Sequence, residues 1–550
     1  MAAFRTLCLL LCWAALSNAD LFTSMADLQR LLQIEKDIPQ VIDNYIVTEN
    51  ARLDELRRMV QKYRSKNSDV HKNLESVSNP INAFRMIKRL SETWHSLQRK
   101  MRSDRTDEFL QNISFSGKTA FPEEEDLSGA VVGLLRLQDT YRLDTKELAN
   151  GIVGKKKTSK ALTAGDCFEI GRLSYNNEDY YHTLLWMQEA MEKSKTEDPP
   201  TATEVSILEY LAFALYKQGN VKRALLATDR LYELNPRHPR AKGNIKWYED
   251  QLTDEGVKKA DFRRFVPSIT NKRPNDNLEN QERDIFEALC RNEVPVSVKA
   301  TSQLYCYLKR DRPFLIIAPF KVEIMRFNPL AVLFRDVIND DEIKVIQQLA
   351  SPKLARATVQ NSVTGLLETA SYRISKSAWL KGTDHEVVAR VNARMDLMTN
   401  LEMETAEELQ IANYGIGGHY DPHFDFARKE ETKAFSDLGT GNRIATVLFY
   451  MSQPEEGGGT AFTELKTTVM PSKNDALFWY NLLRSGEGDL RTRHAACPVL
   501  TGIKWVSNKW IHELAQEFRR PCGLKPSEFE RYVGDLGGPE PRDHPNLSPY

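Results

Sequence analysis

Three residues in the C-terminal part of the 550-residue chain have the types and the spacing of metal ligands. His423 and Asp425 stand two positions apart, and His494 follows later in the chain. Because residues i and i+2 of a β-strand project from the same face, His423 and Asp425 can bind one ion together. A histidine from a neighbouring strand would place three ligands on one side of an octahedron. The three remaining positions could take a cosubstrate and O₂, as in non-haem iron(II) oxygenases.

Spacing does not by itself identify the ligands. The sequence His-Tyr-Asp-Pro-His-Phe-Asp over residues 419–425 contains two overlapping pairs, His419 with Asp421 and His423 with Asp425. Histidine also serves structural roles. Spacing therefore leaves both pairs open, and it leaves open whether a metal binds at all.

Lys504 is a candidate for holding the cosubstrate. It follows His494 across a Thr-Gly turn at residues 501–502. A lysine facing the inside of a barrel can bind the distal carboxylate of 2-oxoglutarate through a charge-assisted hydrogen bond. A strict two-residue turn would put His494 and Lys504 on opposite faces, so a hairpin here needs a bulge or a longer loop. A solvated strand lysine is the alternative.

Short β-runs separated by glycine-rich breaks surround these residues. From about residue 328 onward, this pattern predicts an antiparallel barrel or jelly roll with flanking helices. The runs are 332–337, 409–414, 444–451, 476–480 and 503–507, and a helix is predicted at 343–349. We therefore predict an oxygenase domain over residues 328–525, followed by a C-terminal tail over 526–550.

Residues 161–255 contain a helical repeat. Residues 204–236 have apolar and small side chains at tetratricopeptide spacing, with Pro236 in the final turn, and a looser copy precedes them. Stacked helix pairs leave a concave groove for an extended peptide. The region is rich in aromatic residues, and such a groove suits a polyproline II ligand. For any single aromatic residue, burial in the core is the alternative. The aromatic residues are Tyr175, Tyr180, Tyr181, Tyr210, Phe213, Tyr216, Trp247 and Tyr248.

Long amphipathic helices are predicted over residues 21–104, with a kink at Pro39. Their apolar stripes must be buried within a bundle or against a second copy. Both arrangements stay open, and we favour association, so residues 20–160 are predicted as a helical dimerisation domain. The polar residues that follow the repeat predict a linker containing a disulfide over residues 256–327.

The first residues predict export. Arg5 precedes an apolar run over residues 7–16, and small residues lead to Ala19, which is typical of a signal peptide over residues 1–19. A membrane anchor would need a longer run, and no later segment is apolar enough to span a bilayer. Export makes the sequons at Asn112 and Asn546 usable for glycosylation. The C-terminal residues lack a retention tetrapeptide, so an enzyme of the endoplasmic reticulum would need a retained partner.

The charge balance and the cysteine content give two further predictions, one about partners and one about disulfides. Lys plus Arg (75) balances Asp plus Glu (76), so a nucleic-acid partner is not expected. Five cysteines lie beyond the predicted signal peptide: Cys167, Cys290, Cys306, Cys497 and Cys522. The sequence-local pairs Cys290–Cys306 and Cys497–Cys522 are the simplest disulfides in an oxidising compartment, leaving Cys167 unpaired.

Several motifs together resemble the α subunits of collagen prolyl 4-hydroxylases. They occupy residues 412–425, 439–446, 485–489, 493–498 and 504–510. The resemblance covers almost the whole chain beyond the predicted signal peptide. It implies a multidomain protein, α and then α+β. An N-terminal helical coiled-coil domain would be followed by a tetratricopeptide-like α domain and a C-terminal double-stranded β-helix, or jelly-roll, catalytic domain.

The resemblance assigns roles to individual positions. It implies that His423, Asp425 and His494 bind iron, that His419 does not, and that Lys504 binds 2-oxoglutarate. The remaining positions fall into three groups. Tyr414 and Thr446 would be further cosubstrate contacts; Tyr420, Arg443 and Trp510 would lie near the substrate proline, with His512 supporting catalysis; and Tyr175, Tyr210, Phe213, Tyr216, Arg240, Asn244 and Trp247 would line the peptide groove. Phe213 and Trp247 stand where the family often has tyrosine, which preserves the aromatic floor but not those hydroxyls.

The resemblance also implies a reaction and an assembly. Iron(II), O₂, 2-oxoglutarate and L-ascorbate would support hydroxylation at C4 of proline in Xaa-Pro-Gly repeats of procollagen-like chains, with succinate and CO₂ as coproducts. The assembly would be an α₂β₂ tetramer in the endoplasmic reticulum lumen, with protein disulfide isomerase as the β subunit. Two other functions remain: a 2-oxoglutarate hydroxylase of another residue, such as lysine, and a tetratricopeptide scaffold with an inert oxygenase domain.

Overall fold

A computed structural model describes most of the chain. The described residues are 21–67, 97–98, 100–101, 122–154, 156–157, 159–273, 280–360, 367–431, 434–435, 438–525 and 528–535. The predicted signal peptide, Asn112, Asn546 and most of the predicted tail lie outside these ranges. The chain forms two compact units. One is built around residues 26–122, and the other comprises residues 20–25 and 123–550.

The first unit is dominated by one long helix, α1 (Met25–Asn67). Pro39 lies within it and does not end it. Arg52 donates a hydrogen bond to the Lys100 carbonyl at 3.1 Å, so residues near 100 lie against this helix. Several apolar side chains on α1 remain exposed: Leu32, Ile42, Ile46, Val47, Leu53 and Val60. The helical fold predicted here is confirmed, whereas dimerisation through this stripe stays a prediction.

The second unit begins with paired helices. They are α2 (Glu124–Tyr141), α3 (Thr145–Ala149), α4 (Ala164–Asn176), α5 (Tyr180–Ser194), α6 (Glu204–Lys217), α7 (Val221–Leu234) and α8 (Ala241–Asp254), with a small hairpin of β1 (Ile152–Val153) and β2 (Lys156–Lys157). The turns between the helices are encoded by caps, because Thr163, Asp179 and Thr203 each accept a hydrogen bond from the first turn that follows. Successive helices from α4 to α8 pack against one another, as the repeat predicts.

The predicted linker contains regular structure. Its elements are α9 (Asn280–Cys290), α10 (Val298–Thr301), β3 (Cys306–Lys309), α11 (Pro313–Ile317) and β4 (Phe320–Phe327). Strands β3 and β4 are the first two strands of the largest sheet, so the β domain begins before the predicted residue 328. The linker prediction is therefore wrong for residues 280–327. The polar composition of this segment did not indicate that α9 has an apolar face, on which Phe286 and Leu289 are buried.

Two large antiparallel sheets, two two-stranded sheets and two helices form most of the rest of this unit. The remaining elements are β5 (Leu330–Arg335), α12 (Asp340–Ala350), β6 (Ala355–Arg356), β7 (Thr358–Gln360), β8 (Leu367–Thr369), β9 (Lys376–Leu380), α13 (Glu386–Thr399), β10 (Leu409–Asn413), β11 (Tyr420–His423), β12 (Arg443–Tyr450), β13 (Glu456–Gly457), β14 (Thr460–Phe462), β15 (Thr467–Val469), β16 (Ala476–Tyr480), β17 (His494–Ala496), β18 (Val499–Thr501) and β19 (Trp505–His512). A nine-stranded sheet has the order β3-β4-β5-β16-β12-β19-β10-β9-β6, and a four-stranded sheet has the order β11-β17-β14-β15.

The two sheets enclose one apolar core. Leu448, Tyr450 and Trp479 from the larger sheet pack in the same cluster as Phe462 and Val469 from the smaller one. Helix α12 covers strands β9 and β10 of the larger sheet. This arrangement is the predicted double-stranded β-helix, and we refer to the two sheets together as the barrel.

The cysteines pair differently from the prediction. Cys290 at the end of α9 is bonded to Cys497, with their Cα atoms 5.5 Å apart, while Cys306 and Cys522 are free and exposed. The predicted pairs Cys290–Cys306 and Cys497–Cys522 are therefore not the pairs in this structure. The reason is tertiary: α9 packs on strands β14 and β15, beside β17, and brings Cys290 against the residue that follows β17. Cys167 is buried and unpaired, as expected.

Candidate metal centre and peptide-binding groove

The three predicted metal ligands meet inside the barrel. His423 at the end of β11 and His494 at the start of β17 are direct partners across the two strands. The potential ligand atoms of His423, Asp425 and His494 lie within 4.8 Å of one another. Each imidazole has its Nε2 3.6 Å from a different oxygen of the Asp425 carboxylate. One small ion can therefore be bound by all three side chains.

Hydrogen bonds fix the orientation of each ligand. The Nδ1 atom of His423 donates to the Asp421 carbonyl at 2.7 Å, and that of His494 donates to the Thr492 carbonyl at 2.9 Å. With the proton on Nδ1, the Nε2 lone pair of each ring is free to bind a metal. The Asp425 carboxylate accepts a 2.8 Å hydrogen bond from the Thr446 hydroxyl. Thr446, expected as a cosubstrate contact, thus supports a metal ligand in this structure.

The charge states of the ligands also suit a metal. Burial lowers the pKa of His494 to about 4, so its imidazole is neutral at physiological pH. Burial opposes ionisation of Asp425. The neighbouring imidazoles of His494 and His423 and the Arg443 guanidinium outweigh it and hold the pKa of that carboxyl well below its usual range. Two histidine imidazoles and one carboxylate form the ligand set that iron(II) oxygenases use.

The second His-x-Asp pair, His419 and Asp421, is separate from the cluster of metal ligands. The His419 Nε2 lies 3.2 Å from Asp421, its own neighbour in sequence. Burial, together with the Arg136 guanidinium, lowers the pKa of His419 to about 4. Its backbone carbonyl accepts a hydrogen bond from the Ile374 amide. In the part of the chain that the structure describes, the metal-binding cluster contains His423, and His419 has a structural position.

Lys504 lies in the barrel interior, immediately before β19. Only 1% of its surface is exposed, and its Nζ lies 4.9 Å from the centre of the Tyr414 ring. No carboxylate among the described residues pairs with it, and burial lowers its pKa to about 7. Lys504 and His494 do not form the hairpin that the sequence indicated. Strand β18 lies between them in sequence. His494 belongs to the four-stranded sheet, whereas Lys504 immediately precedes β19 of the nine-stranded sheet.

The barrel interior around Tyr414 and His494 contains one further residue, which was not predicted from the sequence. Trp479, on β16, packs its ring 4.8 Å from the His494 ring. It shares a core cluster with Tyr414, which in turn contacts Lys504. Within this cluster, Tyr414 thus contacts Lys504 and Trp479 contacts the metal ligand His494. Tryptophan in an apolar strand carries no local signal that separates this position from ordinary core.

The residues expected near the substrate proline line an open cleft above the metal site. The cleft has a volume of 700 Å³ and includes Tyr420, Arg443 and Trp510 together with His423 and Asp425. The Tyr420 ring stacks on the His423 ring with centroids 3.5 Å apart. The Arg443 guanidinium lies 4.0 Å from the Trp510 ring centre and donates to the Asp425 carbonyl at 3.3 Å. These three residues therefore surround one face of the metal site.

His512 acts at a distance from the cleft. It is fully buried, and its Nε2 lies 3.1 Å from the Glu407 carboxylate. Glu407 binds Arg443 through two hydrogen bonds, of 2.5 and 3.0 Å. His512 thus supports the carboxylate that positions Arg443. Glu407 was not predicted, because no local pattern links it to a residue so distant in sequence.

Two further polar residues of the cleft were not predicted. Arg373 donates to the Gln410 side chain at 2.8 Å, and its guanidinium carbon lies 4.8 Å from the centre of the Tyr420 ring. Gln410 could have been identified, since a polar residue interrupts the apolar strand β10 and shares the face of Ala412. The Nε of Arg373 and the Nε1 of Trp510 are buried and lack a hydrogen-bond partner among the described atoms.

The predicted groove residues of the helical repeat form one surface. The rings of Tyr175 and Tyr210 are 5.0 Å apart, Tyr175 and Phe213 are 5.6 Å apart, and Phe213 and Tyr216 are 5.9 Å apart. Trp247 extends the series, because its indole nitrogen donates to the Tyr216 hydroxyl at 3.1 Å. We call Tyr175, Tyr210, Phe213, Tyr216 and Trp247 the aromatic row.

Polar side chains border the aromatic row. A cavity of 200 Å³ is lined by Tyr175, Tyr210 and Phe213 and by the predicted Arg240 and Asn244. Arg240 forms an ion pair with Glu209 at the same cavity. Tyr248 differs from the others, because it is buried and belongs to the core between α6 and α8. Trp247 is 61% exposed, so the row itself is open to a ligand.

Comparison with known families covers the same three regions. Residues 24–155 match the prolyl 4-hydroxylase α-subunit N-terminal region, and residues 164–254 match the prolyl 4-hydroxylase peptide-substrate-binding domain. Residues 409–512 match the 2OG-Fe(II) oxygenase superfamily. A prolyl 4-hydroxylase subunit alpha-1 of Caenorhabditis elegans is 62% identical to this chain, over 96% of each protein. The chain belongs to the prolyl 4-hydroxylase α-subunit family.

Two further relatives are also prolyl 4-hydroxylase α subunits. The Caenorhabditis elegans subunit alpha-2 is 59% identical over 98% of this chain and 99% of its own length. The human subunit alpha-1 is 46% identical over 94% of this chain and 97% of its own length. A solved viral collagen prolyl hydroxylase from Paramecium bursaria Chlorella virus-1 is 25% identical over 33% of this chain and 94% of the viral chain, with a TM-score of 0.27.

Membership fixes the class of chemistry and the groups that the site takes. As a prolyl 4-hydroxylase α subunit, this chain is a 2-oxoglutarate-dependent proline dioxygenase that uses iron(II). The residues of the site fit both iron(II) and 2-oxoglutarate. His423, Asp425 and His494 offer imidazole nitrogen and carboxylate oxygen ligands. Lys504 offers a buried cation with no carboxylate partner in the described ranges. Within those ranges, no helix is both long and apolar enough to cross a membrane.

Proposed function

We propose that this chain hydroxylates C4 of proline in Xaa-Pro-Gly repeats of procollagen-like chains. The observation that carries the proposal is that one chain contains both the metal cluster with Lys504 and an aromatic row within the region that matches the peptide-substrate-binding domain. Proline-rich chains adopt polyproline II, whose rigid ridges stack on aromatic faces while its carbonyls stay free for hydrogen bonds. The products other than hydroxyproline are succinate and CO₂.

The side chains of the cleft and the barrel interior have different roles in the reaction. When bound, iron(II) and 2-oxoglutarate supply the oxidative decarboxylation that makes O₂ reactive toward a C–H bond, and ascorbate keeps the iron reduced. Lys504 binds the distal carboxylate of 2-oxoglutarate. Tyr420 and Trp510 offer flat faces to the substrate proline beside the metal ligands. Arg443, held by Glu407, and the buried N–H groups of Arg373 and Trp510 offer donors for peptide carbonyls.

The α-subunit family implies a β subunit, and we propose that this partner is protein disulfide isomerase in an α₂β₂ tetramer. The predicted signal peptide and the family's role both fit a compartment of the secretory pathway, and we propose the endoplasmic reticulum lumen. A retained partner would hold the chain there. Glycosylation at Asn112 and Asn546 remains a prediction.

Purified complex incubated with (Pro-Pro-Gly)ₙ, iron(II), 2-oxoglutarate and ascorbate should form 4-hydroxyproline. Mass spectrometry of the peptide, with succinate measured in the same reaction, tests this directly. A matched peptide with lysine in place of the hydroxylated proline tests the alternative that the chain acts on lysine. Modification of the lysine peptide alone would reject the proline assignment. Absence of succinate with either peptide would favour an inert scaffold, which the complete ligand set argues against.

Replacing Tyr175 by alanine should weaken binding of (Pro-Pro-Gly)ₙ by about fivefold, because one well-packed aromatic contact contributes on the order of 1 kcal/mol. Tyr175 contacts both Tyr210 and Phe213, so its loss interrupts the aromatic row. Calorimetric titration of the complex with the peptide measures the effect. Tyr232→Ala is the matched control, because this partly exposed tyrosine of α7 lies outside the row. Equal losses in the two variants would reject the row as the binding surface.

A further inference from the structure

A short segment far from the barrel in sequence is buried against it. Residues 21–24, Leu-Phe-Thr-Ser, precede α1, and we call them the N-terminal strap. Phe22 is 8% exposed, and Thr23 and Ser24 are fully buried. Threonine and serine are seldom completely buried unless their polar atoms have specific partners. Their partners therefore indicate what the strap does.

The strap lies on the loop that connects the cosubstrate pocket to the metal ligands. This loop, residues 415–418, follows Tyr414 and leads through β11 to His423. The Ile416 amide donates a 3.0 Å hydrogen bond to the Phe22 carbonyl. A Cβ atom at Gly415 would lie 2.0 Å from that carbonyl oxygen, so only glycine allows the strap to approach this closely. We call residues 415–418 the glycine loop.

Helix α2 holds the glycine loop from another side. Gly133 and Gly417 are in such close contact that a Cβ on either would overlap the other's backbone or its neighbour's. Arg136 donates to the Gly417 carbonyl at 3.0 Å. The ring of Phe22 packs over Gly129 in the same helix. The glycine loop is thus clamped between the strap and α2, and its shape depends on both.

A chain of hydrogen bonds runs from the strap to the cosubstrate lysine. The Ser24 hydroxyl donates to the Asn413 side-chain oxygen at 3.0 Å. The Asn413 side-chain nitrogen donates to the Lys504 carbonyl at 3.3 Å. An amide side chain can accept only through its oxygen and donate only through its nitrogen. By occupying the oxygen, Ser24 determines that the nitrogen faces Lys504.

We propose that the N-terminal strap is a positioning element of the 2-oxoglutarate pocket, with Ser24 acting on Lys504 through Asn413. The backbone of Lys504 is also held by the Tyr414 amide, which donates to the same carbonyl at 3.2 Å. Together these contacts fix the start of β19 relative to the end of β10, where Lys504 and Tyr414 meet. The inference rests on the proposed role of Lys504 in cosubstrate binding.

Ser24→Ala tests the proposal in the full-length chain with its β subunit. We expect the dissociation constant for 2-oxoglutarate, measured by anaerobic calorimetry on the iron complex, to rise about tenfold, as loss of one buried hydrogen bond allows. The KM for 2-oxoglutarate should rise equally, with kcat changed less than twofold. Ser174→Ala removes a buried hydroxyl of α4 that, among the described residues, bonds only within its own helix, and it should change neither constant.

A double-mutant cycle separates positioning from general destabilisation. If Ser24 acts through Asn413, adding Ser24→Ala to Asn413→Ala should weaken 2-oxoglutarate binding no further. Additive losses would overturn the route through Asn413. Gly415→Ala gives a second readout without cosubstrate, because displacing the strap should speed hydrogen exchange at the Ile416 amide in the metal-free protein.

The two proposals can fail separately. If Lys504→Ala abolishes 2-oxoglutarate binding while Ser24→Ala binds normally, the strap proposal is overturned and the role of Lys504 stands. If Lys504→Ala binds 2-oxoglutarate normally, the cosubstrate assignment itself fails.

Discussion

His423→Ala should lose both the bound metal and at least about a thousandfold in turnover. The lost catalysis corresponds to about 4 kcal/mol, because each 1.36 kcal/mol of barrier is a factor of ten in rate. His423 provides one of the three side-chain ligands that the described residues bring together, and its Nδ1 contact with the Asp421 carbonyl orients its Nε2 toward Asp425. Alanine removes the ligand and leaves Asp425 and His494 unable to enclose an ion. Metal content by elemental analysis and succinate formation measure the two effects.

His419→Gln is the informative control for this experiment. His419 belongs to the second His-x-Asp pair, and glutamine can retain a polar contact with Asp421. This variant should keep one metal per chain and most of its turnover. The opposite pattern, metal lost with His419→Gln and retained with His423→Ala, would move the metal site to the other pair. A loss of metal in both variants with a lowered melting temperature in both would point to unfolding, so melting curves accompany the assay.

Local sequence patterns predicted much of the fold and the residues at the centre of the metal site. The predicted run at 409–414 corresponds to β10, and those at 444–451 and 476–480 correspond to β12 and β16. These strands are apolar and bounded by glycine or polar turns, so their positions follow from short-range chemistry. The metal ligands were accessible for the same reason, because His423 and Asp425 lie within one short segment. Choosing them over His419 and Asp421 required the family resemblance or the structure.

Properties that depend on tertiary packing were not accessible from local patterns. Cys290 is bonded to Cys497 because α9 packs on the smaller sheet, whereas the prediction favoured nearby cysteines. Likewise, Glu407 is important because it contacts both Arg443 of β12 and His512 of β19. No local sequence pattern around Glu407 predicts these contacts. Spacing also misrepresented Lys504. It was evaluated as one arm of a hairpin with His494, but it lies in the barrel interior immediately before β19, a strand of the opposite sheet.

The same reasoning explains why the glycine loop looked like a simple break between strands. Glycines at 415, 417 and 418 predict a turn, which they form, since the Gly418 amide donates to the Gly415 carbonyl. Their greater importance is that the strap and α2 approach the loop more closely than any side chain would allow. A sequence shows that glycine is present. Only the packing shows which neighbour requires it.

Lys504→Ala should raise the KM and the dissociation constant for 2-oxoglutarate by about a hundredfold. A charge-assisted hydrogen bond to a carboxylate contributes on the order of 3 kcal/mol in a buried site, and each 1.4 kcal/mol is a factor of ten in affinity. The residue is buried with no carboxylate partner in the described structure, so the bound cosubstrate would be its counter-ion. Anaerobic calorimetry on the iron complex measures binding without turnover. Iron affinity should stay unchanged, because Lys504 is not a metal ligand.

The pH dependence of the same binding provides an independent test of Lys504. Burial lowers its pKa to about 7 in the free site, and a bound carboxylate raises that pKa by favouring the charged form. A group whose pKa rises on binding contributes its full share of the binding free energy at pH values below its pKa in the free protein. That contribution is lost as the pH rises above this pKa. Affinity for 2-oxoglutarate should therefore be constant below about pH 7 and fall toward tenfold per pH unit above it. Lys504→Arg keeps its charge throughout this range, so any remaining binding should lose the slope. An identical slope in wild type and Lys504→Arg would assign the proton to another group and remove Lys504 as the counter-ion.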